Sequence, residues 1–215
     1  MGNETKKISS ILNSLPDWKR WNNYKDNFDT EKITKSFLQN VLLAEPDDKI
    51  LDFGAGFAMN EYFAKKTGTK IDSLDINTEE VRNTFKKVHK KLGLETYLYD
   101  GKKIPFEDNT YNKIIFKASL TKMVSEDGTK GGADKIQVFS EILRVSKPDA
   151  VWFVSPPYML CRFITEIVQS HHKSWENKES VSKLLELLIE KHPMIVMNDW
   201  VKRSTFAFGD ERSMF

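Results

Sequence analysis

The chain has a single cysteine and lacks any long hydrophobic run. Cys161 is the one cysteine among 215 residues, so no disulfide can form within the chain, and a reducing compartment such as the cytoplasm is predicted. The best candidate for a membrane span, Tyr158 to Val168, is too short and contains Arg162 and Glu166. The first thirty residues carry charges throughout, so no secretory signal is expected.

An excess of charge of one sign is also missing. The chain has 33 Lys and Arg residues against 31 Asp and Glu residues, which gives a net charge of +2. A protein whose affinity for nucleic acid comes from a strongly basic surface is therefore not indicated, although a local basic patch stays compatible with this balance.

Short apolar runs alternate with helical patterns through the middle of the chain. This alternation predicts one α/β domain with a mostly parallel sheet and helices on both faces. The predicted strands are Lys49–Phe53, Lys70–Leu74, Thr96–Tyr99, Lys113–Phe116 and Val151–Ser155. The predicted helices are Thr30–Leu43, Asn60–Lys66, Thr78–Leu92, Ala133–Val145, Tyr158–His171 and Glu179–Lys191.

The two ends of the chain differ from this middle part. Residues 1–44 are predicted to form a helical segment, and residues 45–215 the α/β body. Near the C-terminus two strand-like runs, Met194–Val201 and Ser204–Phe208, predict an antiparallel pair that closes one edge of the sheet. The sheet would then have seven strands.

A glycine turn follows the first predicted strand. Gly54 and Gly56 come directly after Asp52-Phe53, and a helical pattern starts near Met59. Glycines let the main chain turn sharply and let a ligand approach it closely, and the N-terminus of the next helix would offer free N–H groups. Such a turn is typical of sites for nucleotide-like cofactors.

Two acidic residues follow the next two predicted strands. Asp75 lies nineteen residues after Gly56, where a carboxylate can accept hydrogen bonds from both hydroxyls of a ribose. Asp100-Gly101 follows the third strand, where a carboxylate can accept a hydrogen bond from a purine amino group. Open α/β sheets bind ligands at these carboxyl ends of strands.

Each of these features also has a purely structural interpretation. Gly54 and Gly56 would serve equally well in a tight strand–helix turn. Asp75 would serve as a cap of the following helix, and Asp100 as a turn residue before Gly101.

Four segments together resemble the class I S-adenosylmethionine-dependent methyltransferases, of the small-molecule, methyltransferase type 11-like group. They cover about 110 residues in the family's order, and IPFEDNTYNKI within the third is the most specific. The segments are ILDFGAG (50–56), SLDIN (73–77), YDGKKIPFEDNTYNKIIF (99–116) and EILRVSKPDAVWFVSPP (141–157). The resemblance implies a Rossmann-like, doubly wound sheet, S-adenosylmethionine as cofactor, and methyl transfer to a small-molecule acceptor by in-line displacement.

The resemblance also implies roles for individual residues. The turn would lie against the methionine part of the cofactor, Asp75 would hold the ribose, and Asp100 would bind the adenine amino group. The cofactor-binding residues implied are Asp52, Gly54, Ala55, Gly56, Asp75, Ile76, Asp100, Gly101, Phe116 and Lys117. Three positions depart from the family pattern without removing a cofactor contact: Ala58 replaces a frequent third glycine, Asn112 a frequent aspartate, and Asp149-Ala150 a common Gly-Gly turn.

No catalytic residue is required by this chemistry, and none is singled out. His171 and His172 at a predicted helix end, and Tyr24 in an aromatic stripe, are the weak candidates. That stripe (Trp18, Trp21, Tyr24 and Phe28) either packs on the sheet or covers the active site as a lid, and the polar loop Thr121 to Gly132 is a second lid candidate. His89, set among lysines, is expected on a solvated helix face, and no metal site is predicted.

Three other functions stay open at this stage. Ser155-Pro156-Pro157-Tyr158 resembles the motif of enzymes that methylate amino groups of nucleic-acid bases, although it follows the fifth strand and not the fourth. Gly54-Ala55-Gly56 also resembles the phosphate turn of nicotinamide-dependent oxidoreductases, whose third glycine is missing here. The third alternative is a non-catalytic partner that keeps the cofactor-binding fold.

Overall fold

A parallel sheet with helices on both faces organises the part of the chain that the structure, a computed structural model, describes. Described are residues 6–8, 10–11, 14, 30–117, 119, 135–155 and 195–196. The strands are β1 (Lys49–Phe53), β2 (Lys70–Ile76), β3 (Tyr97–Tyr99), β4 (Tyr111–Lys117), β5 (Ser146–Ser155) and β6 (Ile195–Val196). The helices are α1 (Thr30–Asn40), α2 (Met59–Ala64), α3 (Lys86–Leu92) and α4 (Lys135–Val145), and a π-helical turn, Val81–Phe85, leads directly into α3.

The order of the strands defines where a ligand can bind. The sheet runs β3-β2-β1-β4-β5-β6, and every neighbouring pair is parallel. The predicted Rossmann-like α/β class is therefore confirmed. From β1 the chain moves to one side for β2 and β3 and then returns to the other side for β4. The carboxyl ends of β1 and β4 thus flank the topological switch point, where such sheets form a ligand crevice.

The strands are apolar on both faces because both faces are covered. Leu51 and Phe53 of β1 belong to a core cluster with α4, while Ile50 belongs to a second cluster with α1, α2 and α3. Neighbouring residues of a strand point to opposite faces, so the central strands β1, β2, β4 and β5 each contribute residues to both clusters. The apolar residues of these strands therefore lie on both faces of the sheet.

Helix α1 is part of this second cluster. Its Phe37 packs edge-on against Phe153 of β5, with ring centroids 6.3 Å apart, and Leu38 and Leu42 are buried beside it. The described end of the predicted segment 1–44 therefore contributes to the core. The aromatic stripe from Trp18 to Phe28 lies outside the described residues.

The segment before β4 is held by one arginine of α4. The Arg144 guanidinium donates to the carbonyls of Ile104 (2.9 Å) and Phe106 (2.8 Å) and to Asp108 Oδ1 (2.8 Å). It also forms a two-point pair with Glu141, whose Oε2 in turn accepts the Ile104 N–H at 2.8 Å. The Arg144 side chain therefore holds the main chain of the Pro-Phe-acidic block that was identified in the sequence.

We expect Arg144→Met to lower the free energy of unfolding by about 1.5–3 kcal/mol, the scale of hydrogen bonds to charged groups. Methionine keeps the length of the side chain but removes the donor to the Ile104 and Phe106 carbonyls and leaves the Glu141 carboxylate with the Ile104 N–H alone. Urea unfolding measures the change. Arg144→Lys keeps the charge but loses the planar fork, so its free energy of unfolding should lie between those of the wild type and Arg144→Met. An Arg144→Met midpoint equal to that of the wild type would show that these contacts do not stabilise the fold.

The structure differs from the sequence-based prediction in one helix and one strand. The helix predicted over Thr78–Leu92 contains the π-helical turn near its start, and β5 starts five residues early, at Ser146, with a register shift against β4 between Tyr111 and Lys113. Of the predicted C-terminal hairpin only β6 is described, and it runs parallel to β5. The rest of the hairpin and the loop Thr121–Gly132 lie outside the described residues. In the described part of the chain, no helix has the length and apolarity needed to span a bilayer.

Candidate functional site

The glycine turn between β1 and α2 lies at the switch point of the sheet. Gly54 (φ 78°) and Gly56 (φ 56°) both have left-handed backbone conformations, which a residue with a Cβ adopts only at a cost. A Cβ atom built on Gly56 would meet nothing within 4 Å, so the space in front of this residue is open. The turn therefore leaves room for a ligand beside the main chain.

The N–H groups of this turn are used within the protein. Those of Gly54 and Ala55 donate to the Leu74 carbonyl at 2.8 and 3.2 Å, and that of Gly56 donates to Asp75 Oδ2 at 2.9 Å. A phosphate group needs free N–H donors, as found at the dinucleotide turn of oxidoreductases. The N-terminus of the six-residue helix α2 adds little to anion binding, because the residue that precedes it, Ala58, has a left-handed backbone conformation. The turn is thus poorly suited to a pyrophosphate.

Asp75 joins the end of β2 to this turn. Its carboxylate is 5% exposed and accepts the Gly56 N–H through Oδ2. Burial raises the pKa of Asp75 to about 7, although the Gly56 hydrogen bond opposes this shift. The following helix is capped by Thr78 instead, whose Oγ1 accepts the Val81 N–H at 3.3 Å. Asp75 is therefore not the helix cap, and its carboxylate lies beside the open space at Gly56.

Two further charged residues belong to the same edge of the sheet. Asp52, buried at the end of β1, accepts a hydrogen bond from Asn60 Nδ2 at 2.8 Å, and burial raises its pKa to about 6. Lys117 ends β4. Burial lowers the pKa of its ammonium group, and the negative charge of Asp52 acts in the opposite direction. A carboxylate and an ammonium thus flank the switch point, an arrangement suited to a ligand that carries both charges.

Asp100 has the geometry of a turn residue. Its Oδ1 accepts the N–H groups of Lys102 (2.8 Å) and Lys103 (3.1 Å), and these hydrogen bonds hold the pKa of the exposed carboxylate below its usual range. Gly101 follows with φ 83° and is buried. The turn interpretation of Asp100 therefore has direct support.

Apolar residues line the sheet behind these polar groups. Ile76 and Phe116, the two apolar residues assigned to the site, are both buried in the cluster on the α4 face. The rings of Phe116 and Tyr99 lie 5.6 and 6.0 Å from that of Phe53. Within the described residues the Tyr99 hydroxyl and the hydroxyl of Ser119 are buried without a hydrogen-bond partner. Tyr99 ends β3, and Ser119 follows β4, so both hydroxyls belong to the carboxyl edge of the sheet. A molecule bound there can supply the missing hydrogen bonds.

His89 contradicts the sequence-based expectation. It was expected on a solvated helix face, but its side chain is completely buried. Its Nε2 lies 2.6 Å from the Gly56 carbonyl oxygen, and its Nδ1 contacts Thr96 Oγ1. The signal was present in the sequence, since His89 follows Phe85 by four residues and precedes Leu92 by three, on the apolar side of the helix.

Ala58 shows what replaces the family's third glycine. It adopts the left-handed conformation (φ 54°) that glycine adopts without strain, and its methyl group is fully buried in the cluster on the α2 face. Its side chain therefore points into the core and leaves the open space at Gly56 unaffected. The weak catalytic candidates Tyr24, His171 and His172 lie outside the described residues.

Comparisons with known proteins identify the matching family. Residues 51–154, which contain the site from Asp52 to Lys117, match the sequence model of a family described as a methyltransferase domain. No curated protein matches the chain's sequence significantly.

The solved structures that resemble the chain include several methyltransferases. The PH0226 protein from Pyrococcus horikoshii OT3 is 21% identical (TM-score 0.42; 65% of this chain and 57% of that one). A SAM-dependent methyltransferase from Methanosarcina mazei is 24% identical (TM-score 0.38; 49% and 50%), and one from Aquifex aeolicus is 27% identical (TM-score 0.34; 57% and 70%). The chain spans about half the length of several solved proteins it matches. All of these TM-scores lie below 0.5, and the match to the methyltransferase-domain model covers residues 51–154.

Proposed function

We propose that this chain, whose residues 51–154 form a class I S-adenosylmethionine-dependent methyltransferase domain, transfers a methyl group to a small-molecule acceptor. S-Adenosylmethionine is the cofactor of the domain. The observation that carries the proposal is the closure of the glycine turn on Asp75, with Gly56 N–H donating to Oδ2 beside an open space. It joins a left-handed turn at the switch point to a buried carboxylate at the end of the next strand.

The chemistry of the side chains supports this cofactor. Its amino-acid end carries an ammonium and a carboxylate, which match Asp52 and Lys117, and its ribose diol matches Asp75. In contrast, the turn offers no free N–H from Gly54, Ala55 or Gly56 to a pyrophosphate. This difference favours the sulfonium cofactor over a nicotinamide dinucleotide.

The residues of the site bind and orient the cofactor and exclude water from it. When bound, S-adenosylmethionine would supply a methyl group on a positively charged sulfur: the bond from acceptor to methyl carbon forms as the carbon–sulfur bond breaks, and the sulfur leaves as a neutral thioether. Asp75 would hold the sugar end, Asp52 and Lys117 the amino-acid end, and the buried Phe116 would keep water from the back of the site. A general base is needed only for an acceptor that cannot lose its proton alone, and Tyr24, His171 and His172 stay proposals for that role.

Methyl transfer is tested by incubating the protein with methyl-labelled S-adenosylmethionine and separate pools of small metabolites, nucleic acid and protein. We expect label in the small-molecule pool. Label confined to nucleic acid would contradict the acceptor class and favour the Ser155–Tyr158 alternative. Cofactor binding without transfer to any pool would indicate a non-catalytic protein.

We expect Tyr99→Phe to separate folding from cofactor binding. The variant removes a buried hydroxyl that has no partner among the described residues, so the melting temperature of the free protein should stay the same or rise. The increase in melting temperature caused by S-adenosylmethionine should shrink, because the bound molecule loses a hydrogen bond worth about 0.5–1.5 kcal/mol. Thermal denaturation with and without cofactor measures both. An unchanged cofactor-induced increase would show that the hydroxyl does not face the ligand.

A further inference from the structure

His89 connects helix α3 to the glycine turn across 33 positions of sequence. Its Nε2 lies 2.6 Å from the carbonyl oxygen of Gly56, and its Nδ1 contacts Thr96 Oγ1, on the segment that leads into β3. The ring is fully buried. A buried histidine with both nitrogens engaged is held in one position and one orientation.

These partners fix the protonation of the ring. A carbonyl oxygen can only accept, so Nε2 carries the hydrogen and donates it to Gly56. Nδ1 is then an acceptor and receives the hydroxyl hydrogen of Thr96. Burial lowers the pKa of His89 to about 4, which agrees with a neutral ring at physiological pH.

Gly56 is consequently held from both of its peptide groups. Its N–H donates to Asp75 on β2, and its carbonyl accepts from His89 on α3. Glycine at φ 56° is free to move toward many other conformations unless contacts hold it. The two contacts together keep the turn in the one conformation that faces Asp75 and leaves the space in front of Gly56 open.

We infer that His89 is a positioning residue for the cofactor turn, which it holds by donating a hydrogen bond to the Gly56 carbonyl. It touches neither cofactor nor acceptor and acts through Gly56 and, by way of the Gly56 N–H, through Asp75. The inference rests on the proposed function, because it assigns this turn to S-adenosylmethionine.

The test compares four variants in the full-length chain. His89→Leu removes both hydrogen bonds, and His89→Gln keeps a donor near the position of Nε2. Thr96→Val removes only the hydroxyl that orients the ring. Val88→Ala is the matched control, because Val88 is the neighbouring, fully buried residue of α3 and its apolar side chain cannot form a hydrogen bond to Gly56.

Two readouts do not depend on activity. Nitrogen NMR of labelled histidine should show His89 as the neutral ring with hydrogen on Nε2, and hydrogen exchange of the Gly56 amide should be slow in the free protein. His89→Leu should accelerate Gly56 exchange, and His89→Gln should restore much of the protection. Hydrogen on Nδ1, or Gly56 exchange unchanged in His89→Leu, would overturn the inference.

Calorimetric titration with S-adenosylmethionine gives the third readout. We expect His89→Leu to raise the dissociation constant about tenfold, the scale of a buried group left without its partner. Thr96→Val should raise it less, and Val88→Ala should destabilise the fold but leave the dissociation constant unchanged. An equal rise in Val88→Ala would reduce His89 to a packing residue. If the wild type itself binds no cofactor, the proposed function fails, while the NMR readouts still decide whether His89 holds the turn.

Discussion

Gly56→Leu should strongly weaken binding of S-adenosylmethionine while the chain still folds. The left-handed backbone at Gly56 costs a leucine about 1–2 kcal/mol in the free protein, which a domain of this size tolerates. Its side chain meets no protein atom on leaving the main chain, because the space in front of Gly56 is open. If that space belongs to the cofactor, the side chain competes with it at a cost of about 1–3 kcal/mol and occasionally more.

A second glycine of the chain supplies the matched control. Gly68 also has a left-handed backbone (φ 85°) and open space around its Cβ position, but it lies in the turn before β2, at the amino end of the sheet. Gly68→Leu should therefore lose similar stability and bind cofactor as the wild type does. Calorimetric titration and thermal denaturation of both variants separate strain from occlusion. Equal dissociation constants for the two variants would show that the cofactor lies elsewhere.

Asp75→Ala should weaken cofactor binding by about 1.5–3 kcal/mol, the contribution of hydrogen bonds to a charged group. Asp75 is nearly fully buried, so its bonds to a ligand are shielded from solvent. The matched control is Asp72→Ala, which removes a half-buried carboxylate from the same strand, where it accepts a hydrogen bond from Tyr111 at 2.8 Å. Calorimetry should show the loss in the first variant only, and an unchanged dissociation constant for Asp75→Ala would contradict its assignment.

The effect of ionised Asp75 on folding stability has a predictable sign and pH dependence. Burial raises the pKa of Asp75 from an ordinary value of 3.8 to about 7. The ionised carboxylate therefore costs the folded state free energy, a cost that is absent below pH 4, grows as the pH rises, and is complete above pH 7. At pH 8 the alanine variant is relieved of this cost, which offsets its lost hydrogen bond from Gly56. Loss of cofactor affinity would then not be a consequence of unfolding.

The central strands could be predicted from the sequence because both of their faces are buried. β1 runs over the predicted Lys49–Phe53, and β2 begins at the predicted Lys70. Both segments combine several apolar residues that are buried in the fold with a glycine turn next to them in the sequence. β5 was predicted too short because Pro148 and Asp149 argue against a strand. The register shift against β4 accommodates these two residues. This shift depends on the pairing of two strands and cannot be seen in the sequence of β5 alone.

The site was predictable where one local pattern fixes the geometry and unpredictable where distant segments meet. The left-handed turn at Gly54 and Gly56 follows from the glycines themselves. The contact of His89 with Gly56 depends on how α3 packs against a turn 33 residues away, and the flanking lysines concealed the buried face of the helix. The partner of Asp75 was unpredictable for the same reason. Its carboxylate accepts a hydrogen bond from the glycine turn and does not cap the helix that follows β2, and this tertiary contact is not visible in the local sequence.

A calorimetric titration of the wild-type chain at pH 8 with S-adenosylmethionine and, separately, with nicotinamide adenine dinucleotide shows which cofactor the glycine turn accepts. We expect saturable one-to-one binding of S-adenosylmethionine and no heat from the dinucleotide, since the N–H groups of the turn already donate to Leu74 and Asp75. Binding of the dinucleotide alone would show that the turn is a phosphate site and that the proposed cofactor is wrong.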